Sequence, residues 1–341
     1  MSLKNLSVVK KIPKLLKDKL DNKRIGQVYK RFEKSLNISQ DFIVAVSGGP
    51  DSLALAFLAK VYSIKKNLNS KFLIVDHKLR MNSTYEAKNV KKVLKKLFIN
   101  AEILTWHGQK PFKNIQSLAR KKRYELLINK CNQLKIFNII LGHHQNDLFE
   151  NFFIRILRGS GLRGLISFDK KNNISNVNLF RPLLNEKKTD LEFISRNVFD
   201  FYVKDPYNED EKFLRIKVRK LIEELKLNGL DKKKFNNTLK NLKYSNEIVK
   251  FYVTKNLNEN SLFIPRKNQL MINRDFFQHP HEIVFRGFSN SLKTIGMKYY
   301  AARGKKIDKV IEDIKKDRFS KATLGGCIIE KINQTVVISK E

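Results

Sequence analysis

The six residues SGGPDS, 47–52, combine two hydroxyls, two adjacent glycines and a carboxylate. Gly48 and Gly49 can adopt backbone angles barred to other residues and let a ligand approach the main chain closely. Pro50 suits the first turn of a helix. The free N–H groups and dipole at such a helix start attract an anion. Hydroxyls on Ser47 and Ser52 add donors, so the fitting ligand is phosphate, whereas a Gly-Gly turn by itself could be simply a tight loop. The Lys-Ser or Lys-Thr pair of a nucleotide-hydrolysing P-loop does not follow the glycines. Asp51 would repel phosphate. It either caps the helix or holds a magnesium ion that bridges the phosphates.

Other polar constellations lie downstream. VDHKLR, 75–80, sets Asp76, His77 and Arg80 at the end of an apolar run. In ARKKRY, 119–124, Arg120 and Arg123 are one helical step apart and share a face. In LGHHQNDLFENFFIRILRGSGLRGL, 141–165, Asp147 and Glu150 share another, with His143 and His144 at its mouth. The histidines could be core or capping residues, but the acids that follow favour a metal or nucleotide site. Oxygen ligands beside a phosphate loop suit magnesium better than zinc. Arg120 and Arg123 could be a solvated basic face. The run RGSGLRG could be a linker; its glycines would also let the backbone lie close to RNA phosphates beside Arg158 and Arg163.

These residues need elements to place them. Apolar runs at 42–46, 71–77, 101–106 and 137–143 alternate with amphipathic segments that start near Asp51, at Ser83, near Ile115 and after His144. Ser83 and Glu86 have capping-box spacing. The alternation predicts an α/β fold, a parallel sheet with helices on both faces, and a site beyond the carboxyl ends of the strands. Residues 1–35 read as a basic helical lead-in, 36–208 as the catalytic domain and 209–255 as a Lys-rich helical linker broken at Asn228–Asp231. Residues 256–341 read as a small α+β domain, with a helix at 305–316 and two strands within 326–340 turning near Asn333.

The 341 residues carry 69 Lys and Arg against 33 Asp and Glu, a net charge of +36. A bias toward Lys, Asn and Ile accounts for many lysines but not for so few acids, so a polyanionic partner, nucleic acid, is expected. No apolar run reaches membrane-helix length, and the first residues lack the apolar core of a secretory signal. The two cysteines, Cys131 and Cys327, form no CxxC pair. A cytoplasmic protein without a cysteine-built zinc site is expected.

SGGPDS resembles the S-G-G-x-D-S pyrophosphate loop of the N-type ATP pyrophosphatases, which adenylate an acceptor and expel pyrophosphate. GMP, NAD and asparagine synthetases and tRNA thiolases share that loop. The order of VDHKLR, ARKKRY, the 141–165 run, Arg181-Pro182 and KDPYNED (204–210) resembles the tRNA(Ile)-lysidine synthetases over about residues 38–220, and more loosely in the tail. Asn151, Tyr207, Ile216 and Lys217 depart from that family's pattern. The resemblance implies an adenine nucleotide alpha-hydrolase-like fold that ligates free L-lysine to the wobble cytidine of an isoleucine tRNA with a CAU anticodon. ATP and Mg2+ are the implied cofactors. Ser47, Gly48, Gly49, Pro50, Asp51, Ser52, His77 and Arg80 are implied to bind ATP. Asp51, His143, Asp147, Glu150 and Arg120 are implied to be catalytic, with Asp51 and Asp147 as magnesium ligands. Arg123, Arg158, Arg163, Arg215, Lys217 and Arg219 are implied to contact tRNA, and the C-terminal domain with them. A tRNA thiolase and a nucleotide-dependent RNA-binding protein are the rival expectations. The oligomeric state stays open, with a homodimer as one candidate.

Overall fold

A computed structural model of the chain describes residues 11–79, 81–108, 115–174, 176–203, 214–298 and 302–341. The chain divides into two compact units after Gly229.

The first unit is built on a six-stranded sheet. Its strands are β1 (Phe42–Val46), β2 (Ser70–Asp76), β3 (Ala101–Thr105), β4 (Asn138–Ile140), β5 (Lys171–Ile174) and β6 (Val177–Phe180), in the order β3-β2-β1-β4-β6-β5. All neighbours are parallel except β5, which forms an antiparallel hairpin with β6. The expected parallel core is present. The hairpin widens it with short strands, rich in Asn, that carry too weak an apolar pattern to be seen beforehand.

Alternation along the strands builds two cores. Phe42, Val44 and Val46 of β1 face one layer, where they meet α1 (Lys14–Leu20), α2 (Lys23–Leu36), α3 (Pro50–Lys65), α4 (Ser83–Lys95) and α8 (Lys188–Phe199). Ile43 faces the other layer, where Leu127 and Cys131 of α5 (Ile115–Leu134) cover the sheet. A sheet buried on both sides explains why its strands are continuously apolar. The basic segment read as a lead-in folds onto this unit: Leu16, Ile25, Val28 and Phe32 are in its core. Among the described residues the unit also holds α6 (Gln145–Leu157), α7 (Leu162–Leu165) and α9 (Leu214–Leu227).

The start of α4 differs from the expected capping box. The helix does open at Ser83, but Asn82 before it already has helical backbone angles and makes no side-chain cap. A cap residue needs extended angles for its side chain to reach forward. Thr84 instead donates its hydroxyl to Asp76 at the end of β2 (2.6 Å).

The second unit begins with α10 (Lys232–Asn260), capped by Asp231, whose carboxylate accepts from Lys234 N at 2.7 Å. The Asn-Gly-Leu-Asp break therefore separates α9 from α10, and the expected linker is shared between the two units. The antiparallel strands β7 (Ser261–Ile264), β8 (Gln269–Ile272), β9 (Lys321–Leu324), β10 (Cys327–Ile332) and β11 (Thr335–Lys340) run in the order β7-β8-β11-β10-β9. They pack against α11 (His281–Ile295) and α12 (Gly304–Lys315) through Ile272, Phe288, Ile311, Ile329 and Ile338. The β10–β11 turn falls at Asn333, where φ is 53°.

Candidate active site

The glycine loop joins β1 to α3. Gly48 has φ of 88°, and a Cβ there would sit 2.5 Å from Val90 Cγ2. Its carbonyl accepts from Val203 N at 3.0 Å. Both the backbone angle and the crowding require glycine. Ser52 Oγ shapes the loop: it accepts from Ser47 N (3.1 Å) and Gly48 N (3.0 Å) and donates to Gly49 O (2.9 Å). Pro50 takes the first helical position, as expected.

The neighbouring strand β4 delivers the next group. Gly142, just past it, lies so close to the first turn of α3 that a Cβ would meet Asp51 O and Ser52 Cα at 3.2 Å. This contact brings His144 to Asp51, with Nε2 3.5 Å from Oδ2. His144 also caps α6. Its Nδ1 accepts from Asn146 N (3.1 Å), while its own N donates to Asp147 Oδ2 (2.9 Å). The neutral ring thus carries its proton on Nε2, toward Asp51. Burial works against a charge on His144, but Asp51, Asp147 and Glu150 outweigh it and raise its pKa above the ordinary value. Gln145 N donates to Glu186 O (3.3 Å), and the buried Glu186 carboxylate is held by Arg31 of α2 (2.6 Å). A residue of the basic N-terminal segment therefore braces the start of α6.

Asp147 and Glu150 lie on one face of α6, as their spacing requires. Opposite them stand Arg215 and Arg219, one turn apart on α9. Arg215 contacts Asp147 Oδ1 (2.5 Å) and Glu150 Oε2, and Arg219 contacts Glu150 Oε1 at 2.7 Å. Glu150 is only 2% exposed. A carboxylate so far from water persists as an ion only when paired and hydrogen-bonded. Burial raises the Asp147 pKa, but His144, His143 and Arg215 bring it below the usual carboxylate range.

Three comparisons with known proteins bear on the family and the fold. Residues 18–225 match the model of the PP-loop domain family. A tRNA(Ile)-lysidine synthase of Orientia tsutsugamushi (strain Boryong) is 34% identical over 313 residues, covering 87% of this chain and 69% of that protein. The chain belongs to the tRNA(Ile)-lysidine synthase family. A member from Wolbachia pipientis wMel is 31% identical over 87% of this chain and 70% of its own length. Among solved structures, the U34-tRNA thiolase NcsA from Methanococcus maripaludis shares the fold of the sheet, with TM-score 0.53 and 17% identity over 60% of this chain and 74% of that one.

Within this lysidine synthase family member the anticipated residues gather unevenly. Ser47–Ser52, Asp51, His144, Asp147 and Glu150 form one connected group. Arg215 and Arg219, expected at tRNA, join it through the acids. Arg123 turns to β2 and donates to His77 Nε2 at 3.3 Å. Burial, then Arg123, pushes the His77 pKa down to about 4. His143 does not sit beside Asp51; it meets Phe168 edge-on, with ring centroids 5.0 Å apart. Burial lowers its pKa to about 3; Asp147 pulls the other way, while Arg181, Arg120 and Arg215 push down with the burial. Arg120 is exposed, with its guanidinium 5.4 Å from the Tyr124 ring. Arg158, Arg163 and Lys217 are exposed. Arg80 and Tyr207 lie outside the described residues.

One carboxylate oxygen at the loop would suit the magnesium ion that the resemblance implies. Asp51 Oδ1 is buried and has no hydrogen-bond partner. Both oxygens of Asp147 are already engaged, by Arg215 and by His144 N. Among the described residues no group of three or more His, Cys, Asp or Glu side chains could hold a metal ion. Of these carboxylates, Asp51 is the one with an oxygen left that would hold a magnesium ion beside the loop.

Sequence reasoning underplayed two residues. The resemblance implies a catalytic role for His143 and none for His144, but the fold sets the His144 ring against Asp51. Arg181 was noted only as part of a motif. It is 5% exposed, donates from Nη1 to Asp169 O (2.7 Å) and Asn172 Oδ1, and lies 4.7 Å above the Phe168 ring. A buried arginine at the mouth of a sheet is a signal that the Arg-Pro pair could have raised.

Proposed function

We propose that this chain ligates free L-lysine to the wobble cytidine of an isoleucine tRNA with a CAU anticodon, using ATP and releasing pyrophosphate and AMP. The observation that carries this reading is the phosphate loop joined, through Asp51 and His144, to the acid pair of α6.

The loop and the start of α3 hold the triphosphate by backbone N–H groups and the helix dipole. The cytidine carbon-2 oxygen attacks the α-phosphorus, and the bond to pyrophosphate breaks. The lysine ε-amine then adds to carbon-2, AMP leaves with the oxygen, and the amine proton passes to solvent. Asp51 would hold a magnesium ion, which would supply charge neutralisation for the departing pyrophosphate. Asp147 is held ionised, so it is suited to attract the lysine ammonium rather than to store its proton. Arg215 and Arg219 keep both carboxylates in place. Arg158, Arg163 and Lys217 are exposed cations suited to tRNA phosphates, and the Lys-rich second unit adds to that grip.

The thiolase alternative finds no support in the cysteines. Cys131 and Cys327 are both buried in cores, and burial pushes the Cys131 thiol up to about 11. Such a thiol is not a ready nucleophile. Among the described residues no helix is long and apolar enough to cross a membrane. A reaction on tRNA with ATP belongs in the cytoplasm.

The test is incubation with ATP, labelled lysine and total tRNA. Label should appear in one isoleucine tRNA, and replacing both cysteines with alanine should leave the transfer chemistry intact. No lysine in any tRNA would refute the reading.

A further inference from the structure

We infer that Arg31 and Glu186 form a positioning pair, which fixes the start of α6 against the phosphate loop and so sets the His144–Asp51 contact. The pair touches no reacting atom. The inference rests on the proposed ligation of lysine only for its kinetic readout.

Glu186 lies between β6 and α8, in the turn that holds the buried Leu183 and Leu184. Its side chain is 3% exposed, and Arg31 of α2 meets it. Nη2 of Arg31 donates to Oε2 at 2.6 Å, and Nε donates toward both carboxylate oxygens at 3.1 Å. An ionised carboxylate so far from water is retained only while it is paired.

The same residue serves α6 through its main chain. Gln145 is the first residue of that helix, so its N–H has no partner inside the helix. Glu186 O accepts from it at 3.3 Å. The neighbouring donors are satisfied within the segment itself: His144 N by Asp147, and Asn146 N by His144 Nδ1. Gln145 N is therefore the point where the helix start is tied to another part of the chain. His144 comes immediately before it, with its ring 3.5 Å from Asp51. A shift of Glu186 is passed to that contact across one peptide bond.

Beyond α8 the chain reaches the loop itself. Ser195 of α8 donates its hydroxyl to Phe201 O at 3.2 Å, and Val203 N donates to Gly48 O at 3.0 Å. With its flanks, α8 thus spans from the start of α6 to the glycine loop. Two arginines of α2, two turns apart, hold it there. Arg31 takes Glu186; Arg24 takes Asp190 at 2.8 Å and lies 4.4 Å above the Phe193 ring. The two acids differ in their access to water: the Asp190 side chain is 19% exposed. Without Arg24, Asp190 is solvated. Without Arg31, a buried carboxylate is stranded; it turns toward solvent and draws its own carbonyl away from Gln145.

The experiment measures lysine transfer per ATP-binding site, at saturating ATP and over a range of tRNA concentrations, together with hydrogen exchange at the Gln145 amide. Arg31→Met should lower kcat per site about 10- to 100-fold, as an ångström-scale misplacement does. It should leave the KM for tRNA unchanged and speed exchange at Gln145. Adding Glu186→Leu to Arg31→Met removes the stranded charge, and apolar residues replace a buried ion pair at little cost. That double variant should recover most of the rate and the amide's protection. Arg24→Met should stay within about twofold of the unaltered chain. If Arg31→Met loses ATP sites and rate in proportion, so that kcat per site is unchanged, the assignment is overturned and the pair merely holds the fold. A raised KM for tRNA that the double variant does not relieve overturns it in favour of a phosphate contact by Arg31. If the unaltered chain transfers no lysine, the proposed function falls, and exchange at Gln145 still decides the positioning: an unchanged rate in Arg31→Met refutes it.

Discussion

The two acidic centres of the site are built in opposite ways. Asp51, at the loop, has one oxygen near His144 and one buried oxygen with no partner. Asp147 and Glu150, on α6, are gripped by Arg215 and Arg219. An unpaired oxygen beside a phosphate loop is ready for a cation. A carboxylate already crossed by two arginines keeps its place and its charge but has little capacity left for a metal. The loop side is therefore tuned to accept a ligand, and the α6 side to stay rigid while presenting a negative surface.

The contrast can be broken first at the loop. Gly48→Ala forces a side chain into a left-handed backbone angle and onto Val90. ATP-dependent tRNA adenylation should fall about 100-fold, the effect of an ångström-scale misplacement, and retained activity would show that the loop can rearrange. Next comes the rigid side. Glu150→Gln leaves Arg215 and Arg219 facing a neutral partner, and unfolding in urea should show a loss of about 3 kcal/mol. A loss below about 1 kcal/mol would mean that the arginines simply return to water. Asp51→Asn should leave stability unchanged but raise the magnesium concentration for half-maximal ATP binding about tenfold, as for one lost charged ligand. An unchanged magnesium requirement would move the ion elsewhere.

A smaller effect concerns pH. The His77 pKa lies below its unfolded value, so the unfolded chain binds the extra proton. Its contribution to stability is complete above about 6.5 and is lost as pH falls toward 4. His77→Gln should flatten the pH dependence of the unfolding midpoint across that window, and an unaltered slope would remove His77 from the account. Last, Lys217→Ala should weaken tRNA binding only slightly and reduce its salt slope by roughly one, while Arg215→Ala should act on activity rather than on salt dependence. Equal salt effects would show that both residues face phosphate.

Much of this was legible in the chain. The alternation of apolar runs with amphipathic segments specifies strands buried on both faces, because burial depends on local pattern. The loop SGGPDS was legible for the same reason: its glycines, proline and hydroxyls act within six consecutive residues. The acid pair on α6 and the arginine pair on α9 were each readable from helical spacing. Their union was not. Sixty-eight residues separate Asp147 from Arg215, and nothing in either segment names the other as its partner. Reading α9 as a tRNA contact followed from the family resemblance, and the charge on an isolated helix does not tell which anion it meets.

What the sequence determined by itself is therefore the local chemistry: a phosphate loop after the first strand, carboxylates and arginines on defined helix faces, and a parallel sheet to carry them. What only the tertiary structure decided is the assignment of partners. It put His144 rather than His143 against Asp51, because Gly142 lets β4 pass within van der Waals contact of α3. It used Arg215 and Arg219 to neutralise buried acids, and it left Arg181 buried with a nitrogen unmatched. The physical reason is that desolvation sets what a charged group requires, and desolvation is a property of the packed elements rather than of any one segment.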